Sequence, residues 1–100
     1  MHYALRPKAK EDLRQIAAYT FEQWGADQEL RYLRMLQRSF ESLVEIPTLG
    51  RRFDTVTPGL RKRMAGQHII LYFIRDDCVD VVRILHHSMD LPRYRDEFAD

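Results

Sequence analysis

The sequence predicts an α+β domain built from an N-terminal strand, an antiparallel helical hairpin and a three-stranded antiparallel meander. Three observations carry this. Two successive runs of apolar residues, spaced three to five apart, are broken at Gly25 and end before Pro47, which is the period of amphipathic helices. Three short β-type runs follow Gly59, separated by turn signals at Gly66 and at Asp76-Asp77. The chain has 100 residues, the size of one domain, so any site must share a single body spanning 1–100.

Residues 2–6 alternate around Tyr3 and Leu5, which point the same way in an extended segment and make a first strand. Pro7 then sits where a helix can begin, because its missing N–H is not needed in the first turn. Ala9, Leu13, Ile16, Ala17, Phe21 and Trp24 form one apolar stripe, and Gly25 is placed to stop that helix. From Ala26 the pattern restarts with Leu30, Leu33, Leu36, Phe40, Leu43 and Val44, until Pro47 breaks the hydrogen-bond ladder. The very short connection makes the two helices antiparallel neighbours.

Residues 48–59 lose all periodicity and read as an ordered loop carrying Arg51, Arg52 and Phe53. Residues 60–65, 69–75 and 79–86 read as the three strands, and their short spacings force an antiparallel meander. Residues 69–74 are apolar on both faces, which suits the middle strand. Pro92 opens a last short helix or ordered tail through Tyr94 and Phe98, with Asp90 as its expected cap or, alternatively, an arginine's ion partner. Both helix stripes pack on one sheet face, and what the opposite face does is left undecided. Arg61 and Arg63 share a side of their strand, and Arg83 and Leu85 share a side of theirs, so a basic concave sheet surface is one way to use that face.

Composition narrows the function. Hydrophobic residues at 45% suit an ordered globular fold, while 31% charged residues argue against a membrane protein. The opening residues reach charge at Arg6, so no signal peptide is expected and the cytoplasm is the expected compartment. Cys78 is the single cysteine and cannot form an internal disulfide or a thiolate zinc site. The net charge of +1 does not suggest a protein that coats DNA, and no sequence-specific nucleic-acid binding is expected. Charge is nonetheless uneven: residues 51–63 hold Arg51, Arg52, Arg61, Lys62 and Arg63 against Asp54 alone, a block that either is simply solvated or meets an acidic partner or phosphate.

The order and spacing of several groups resemble the ParE branch of the ParE/RelE toxin superfamily. They are Pro7-Lys8-Ala9 with Asp12-Leu13 and Ile16, Tyr19 and Trp24-Gly25, Tyr32-Leu33, Leu36, and Leu43 with Pro47. They continue through Leu49-Gly50-Arg51, Pro58-Gly59-Leu60-Arg61, Gly66 with His68, Tyr72, and the ending Arg83-Ile84-Leu85-His86-His87-Ser88-Met89-Asp90. The resemblance covers nearly the whole chain and implies a ParE/RelE-like fold. It also implies a toxin of a type II toxin–antitoxin pair, encoded beside a ParD-like antitoxin whose flexible C-terminal segment neutralises it. The activity implied is inhibition of DNA gyrase by binding, without a cofactor, a metal or a catalytic centre of the toxin's own.

A RelE-like ribonuclease is the rival reading, since that branch shares the fold and cuts messenger RNA on the ribosome without a metal. Such a cut needs cations for the phosphate and groups that exchange protons, for which Arg61, Arg83, His86 and Tyr94 are the candidates. A third reading is a relic that keeps the fold and binds antitoxin only. For antitoxin binding the candidates are Tyr19, Trp24, Leu30, Arg51 and Arg52; the plain alternative is that the apolar three belong to the hairpin core or its rim. For target binding they are Arg61, Arg63, Arg83, Tyr94 and Phe98, against the alternative that the tail simply packs back onto the sheet. His86 and His87 are adjacent on a strand and so are expected on opposite faces, which disfavours a metal site; His2 and His68 are not expected to add to it.

Overall fold

The computed structural model describes residues 1–98. Strand β1 (His2–Leu5) leads into helices α1 (Pro7–Trp24) and α2 (Ala26–Glu45). A 3₁₀ turn (Pro47–Leu49) is followed by β2 (Arg51–Arg52), β3 (Arg61–Ala65), β4 (His68–Arg75) and β5 (Cys78–His86), then a second 3₁₀ turn (Leu91–Tyr94) and α3 (Arg95–Phe98). The expected helical hairpin and meander are all present. Arg51 and Arg52, expected in a loop, instead pair with Lys62 and Arg61 as a short edge strand.

Local chemistry accounts for the joints. Gly25 is the only residue between the two long helices and takes φ 89°, a left-handed conformation that favours glycine, while its N–H closes α1 on the Phe21 carbonyl at 2.8 Å. The β4–β5 hairpin turns through Asp76 and Asp77, both at positive φ, as a type I′ turn requires. Asp90 opens the last 3₁₀ turn through its carbonyl, which accepts the Arg93 N–H at 3.2 Å, and not through the side-chain cap the sequence suggested.

The sheet order is β1-β5-β4-β3-β2, with β1 parallel to β5 and the other pairs antiparallel. The helices cover one face over a core that includes Ile16, Leu36, Phe40, Leu43, Ile70, Tyr72, Val81 and Ile84. The opposite side, which the sequence left undecided, carries a second core. Val56 and Leu60 from the 53–60 loop meet Leu71, Phe73, Val82 and Leu85 from the sheet and Leu91 and Phe98 from the tail. An apolar central strand dictates this, because Ile69, Leu71 and Phe73 on the second face need cover as much as Ile70 and Tyr72 on the first. Tyr72 also ties the loop down: its hydroxyl accepts the Gly50 N–H at 2.9 Å and donates to the Pro47 carbonyl at 2.6 Å, and burial raises its pKa.

One irregularity governs the functional face. Tyr72 pairs with Val81 but Leu71 pairs with Arg83, so Val82 is the extra residue of a β-bulge. Strand β1 stops opposite Val81, where Arg6 N–H bonds the Val81 carbonyl at 2.9 Å and the chain turns into α1. Beyond that point β5 has no strand on its outer side among the described residues, and α1 supplies the missing acceptor through Asp12.

Candidate partner interface

The buried face of α1 runs through Ala9, Asp12, Ile16 and Thr20, and its apolar end does not follow it inward. Tyr19 is 57% exposed and Trp24 64% exposed, their rings edge to face at 6.0 Å, and Phe21 and Leu30 are exposed as well. These residues therefore do not complete the hairpin core. The last turns of α1 lie instead over the β3–β4 turn, where Tyr19, Trp24, Gln28, Tyr32, Gly66 and His68 frame a groove of about 400 Å³.

Histidines form the floor of that groove. The Tyr32 hydroxyl accepts the Gln67 N–H at 2.9 Å and is hydrogen-bonded to His68 Nδ1 at 2.6 Å. His68 is half-buried, its ring edge to face against that of Tyr32. Its pKa lies below the ordinary histidine value, first because of burial and then because His86 and His87 are close, with Asp12 opposing the shift. Burial likewise raises the Tyr32 phenol. The His68 and His86 rings are 5.5 Å apart, and those of His86 and His87 only 4.5 Å apart. The opposite-face expectation for His86 and His87 fails because β5 ends at His86 and His87 already belongs to the following turn. His68, discounted from the sequence, joins them because the bulge shifts the register: plain counting from the Arg75–Cys78 pair would set it opposite Leu85, not His86.

Arg83 is committed elsewhere. Its guanidinium makes a two-pronged ion pair with Asp12 at 2.8 and 2.9 Å and a third bond to Glu97 Oε1 at 2.7 Å, which Lys8 also reaches at 2.7 Å. Hydrogen bonding to Asp12 raises the Arg83 pKa, while Lys8 first and then Arg83 hold the Glu97 carboxyl below the usual range. Tyr94 lies under the same guanidinium, with its ring centroid 5.4 Å away. Phe98 is wholly buried and Tyr94 half-buried, so the described part of the 91–100 tail packs onto the sheet; positions 99 and 100 lie outside the described residues. Asp12 and Tyr32 entered the sequence reading only through the resemblance and Glu97 not at all, because each acts across a long separation in the chain.

Arg61 and Arg63 stand opposite Tyr72 and Ile70, two residues of the helix-side core, so they do not share a face with Arg83 and no single basic concave surface forms. Arg61 donates to the Gly50 carbonyl at 2.8 Å, and Arg52 pairs with Asp54 at 2.8 Å. Arg51, Lys62 and Arg63 line a cleft of about 310 Å³ with Leu49, Met64 and Ile69 at the β2–β3 edge. The four candidates for an RNA cut are therefore dispersed: Arg83, His86 and Tyr94 belong to the β5 end, while Arg61 sits across the sheet beside Gly50. No helix is long and apolar enough to cross a membrane among the described residues.

Comparison with known proteins agrees with this geometry. A solved structure titled chromosomal ParDE TA system from P. aeruginosa superposes with a TM-score of 0.75 over 86% of this chain and 95% of that chain, at 17% identity, and so shares the fold. Toxin ParE1 of Mycobacterium tuberculosis strain H37Rv is 40% identical over 92 residues, 91% of this chain and 94% of the relative. Toxin ParE1 of Caulobacter vibrioides is 34% identical over 88 residues, covering 88% and 91%, and Toxin ParE of Escherichia coli is 33% identical over 90 residues, covering 89% and 87%. Since residues 3–91 also match the family model described as ParE toxin of type II toxin-antitoxin system, parDE, the chain belongs to the ParE toxin family.

Proposed function

We propose that the protein is the toxin of a ParDE-type pair that acts by binding DNA gyrase, catalyses no reaction itself, and is neutralised by a ParD-like antitoxin. The observation that carries binding over RNA cleavage is the state of Arg83. A nuclease of the RelE kind needs a cation free to hold the scissile phosphate, whereas Asp12 and Glu97 already neutralise this one. The exposed Tyr19–Trp24 pair suits the antitoxin, because a large aromatic left in solvent beside a groove is the usual anchor of a protein interface. Leu30 adds apolar surface on α2, and Arg51 and Arg52 offer charge to an acidic segment. For the target, Arg61 and Arg63 present charge at the sheet edge. Arg83, Tyr94 and Phe98 act by holding the tail in place. The setting of such a toxin is the cytoplasm.

The test is a supercoiling assay with purified gyrase, adding the protein with and without the product of the neighbouring gene, beside a ribosome-dependent RNA cleavage control. Dose-dependent loss of supercoiling with accumulation of cleaved DNA, reversed by the partner, is the expected result. Intact supercoiling with cut messenger would overturn it in favour of a ribonuclease. Partner binding without either activity would mark a relic.

A further inference from the structure

Strand β2 is joined to β3 by two pairs of like charge. Arg51 stands opposite Lys62 and Arg52 opposite Arg61, and like charges directly across a strand pair are destabilising. Two of the four are answered within the fold, Arg52 by the Asp54 carboxylate at 2.8 Å and Arg61 by the Gly50 carbonyl at 2.8 Å. Arg51 and Lys62 meet no carboxylate among the described residues, and neither does Arg63 beside them. Departures of this kind from local pairing rules concentrate where a surface is kept for a ligand.

Elsewhere many cations are cancelled: Arg6 and Arg75 by Asp80, Lys8 and Arg83 by Glu97, Arg14 by Glu11. A net charge of +1 therefore conceals one surface where positive charge is left over. That surface continues onto α2. Met35 rests against Gly66 at the β3–β4 turn, and Arg31 and Arg38, one helical turn before and after it, are exposed and carry no ion pair among the described residues. Seven helical residues span about 10 Å, and a DNA duplex carries one charge per about 1.7 Å of its axis, so these cations are spread on rigid elements over the reach of several phosphates. Aromatic rings here are taken: Lys62 lies over Phe53, 4.1 Å from its centroid, and the Tyr32 hydroxyl is tied to Gln67 and His68. The surface thus offers cations without an open platform on which an unpaired base could stack.

We infer that the side of the protein formed by α2, β3 and β2 binds the phosphate backbone of duplex DNA without regard to sequence. Arg51, Lys62 and Arg63 form its centre, and Arg31 and Arg38 its border. A phosphate held jointly by Arg51 and Lys62 relieves their repulsion across the strand pair. This goes beyond the gyrase reading, since it gives the toxin a hold on DNA separate from its hold on a protein.

The probe is a short fluorescein-labelled DNA duplex of arbitrary sequence, titrated with the free protein and followed by anisotropy, with no gyrase present. Dissociation constants of about 10⁻⁶ to 10⁻⁴ M near physiological salt are expected, with a log–log salt slope of about −4.5 for about five phosphate contacts. Lys62→Gln/Arg63→Gln should weaken binding alike for unrelated sequences and reduce the magnitude of the slope by about 2. Arg14→Gln, whose cation is paired to Glu11 on α1, should leave both unchanged. Unlabelled duplex should displace the probe at lower concentration than single-stranded RNA or polyglutamate of equal charge. A slope near zero in the wild-type chain, an unchanged slope in the double variant, or displacement by RNA or polyglutamate at equal or lower concentration would each overturn the proposal. Because the assay contains no gyrase, its failure and a failure of the supercoiling test are separate results.

Discussion

The carboxylate of Asp12, on the second turn of α1, takes the place of a neighbouring strand for Ile84: its Oδ2 accepts the Ile84 N–H at 2.9 Å just beyond the β-bulge. The same carboxylate holds the Arg83 guanidinium, so one side chain seals the sheet edge, neutralises a half-buried cation and fixes α1 against β5. Removing it leaves the Ile84 N–H without its acceptor and Arg83 with Glu97 alone. Asp12→Ala should cost about 3 kcal/mol, the low end for breaking a buried pair, and lower the melting temperature by roughly 12–24 °C. Asp12→Ala/Arg83→Met should recover part of that loss, and thermal melts of both variants provide the check.

Tyr72 offers a smaller deletion. Tyr72→Phe keeps the ring in the helix-side core but strands the Gly50 N–H and the Pro47 carbonyl. A loss of about 1–3 kcal/mol is expected from leaving those groups without a partner. Hydrogen exchange should show the change concentrated at Gly50, whereas a uniform loss of protection would contradict this assignment.

Phe98 tests whether the tail is structural. It is fully buried among Leu60, Leu71 and Leu91, and Phe98→Ala should cost about 3–5 kcal/mol by opening a cavity. Loss of toxicity in this variant would therefore come with a lower melting temperature. A variant that melts normally yet is inactive would show a direct contact instead.

His68 sets a pH dependence. Its folded pKa lies below the ordinary value of about 6.5, so the unfolded chain binds the extra proton more readily. The stabilisation from neutral His68 is full above that ordinary value and is lost as pH falls through the lower folded one. His68→Asn keeps an acceptor for Tyr32 but cannot titrate. Its melting temperature should fall less than that of the wild type between about pH 7 and about pH 5, a window that spans the ordinary histidine pKa. Parallel slopes would remove His68 as the cause.

Trp24 separates binding from stability. With 64% of the residue in solvent, Trp24→Ala should change stability by no more than about 0.5 kcal/mol. Affinity for the antitoxin should nevertheless fall by about 2 kcal/mol, as for an interface anchor. Calorimetry with the partner and a thermal melt of the free variant measure the two effects.

Local signals along the chain specify every long element and its order, though not the short strand at Arg51–Arg52. Helical periodicity, Gly25, Pro47 and the two hairpin turns are local signals, each set by backbone stereochemistry within a few residues, and they placed α1, α2 and the meander correctly. The order and spacing of residues also carried the family resemblance. Which side chains meet is set by the assembled fold. The bulge at Val82 moved His86 opposite His68, the end of β1 at Leu5 left β5 open to Asp12, and the 53–60 loop and tail closed over the second sheet face. These outcomes depend on how strands are registered and where they stop, which is settled by satisfying buried polar groups and covering apolar surface across long separations in the chain, and no local pattern records either requirement.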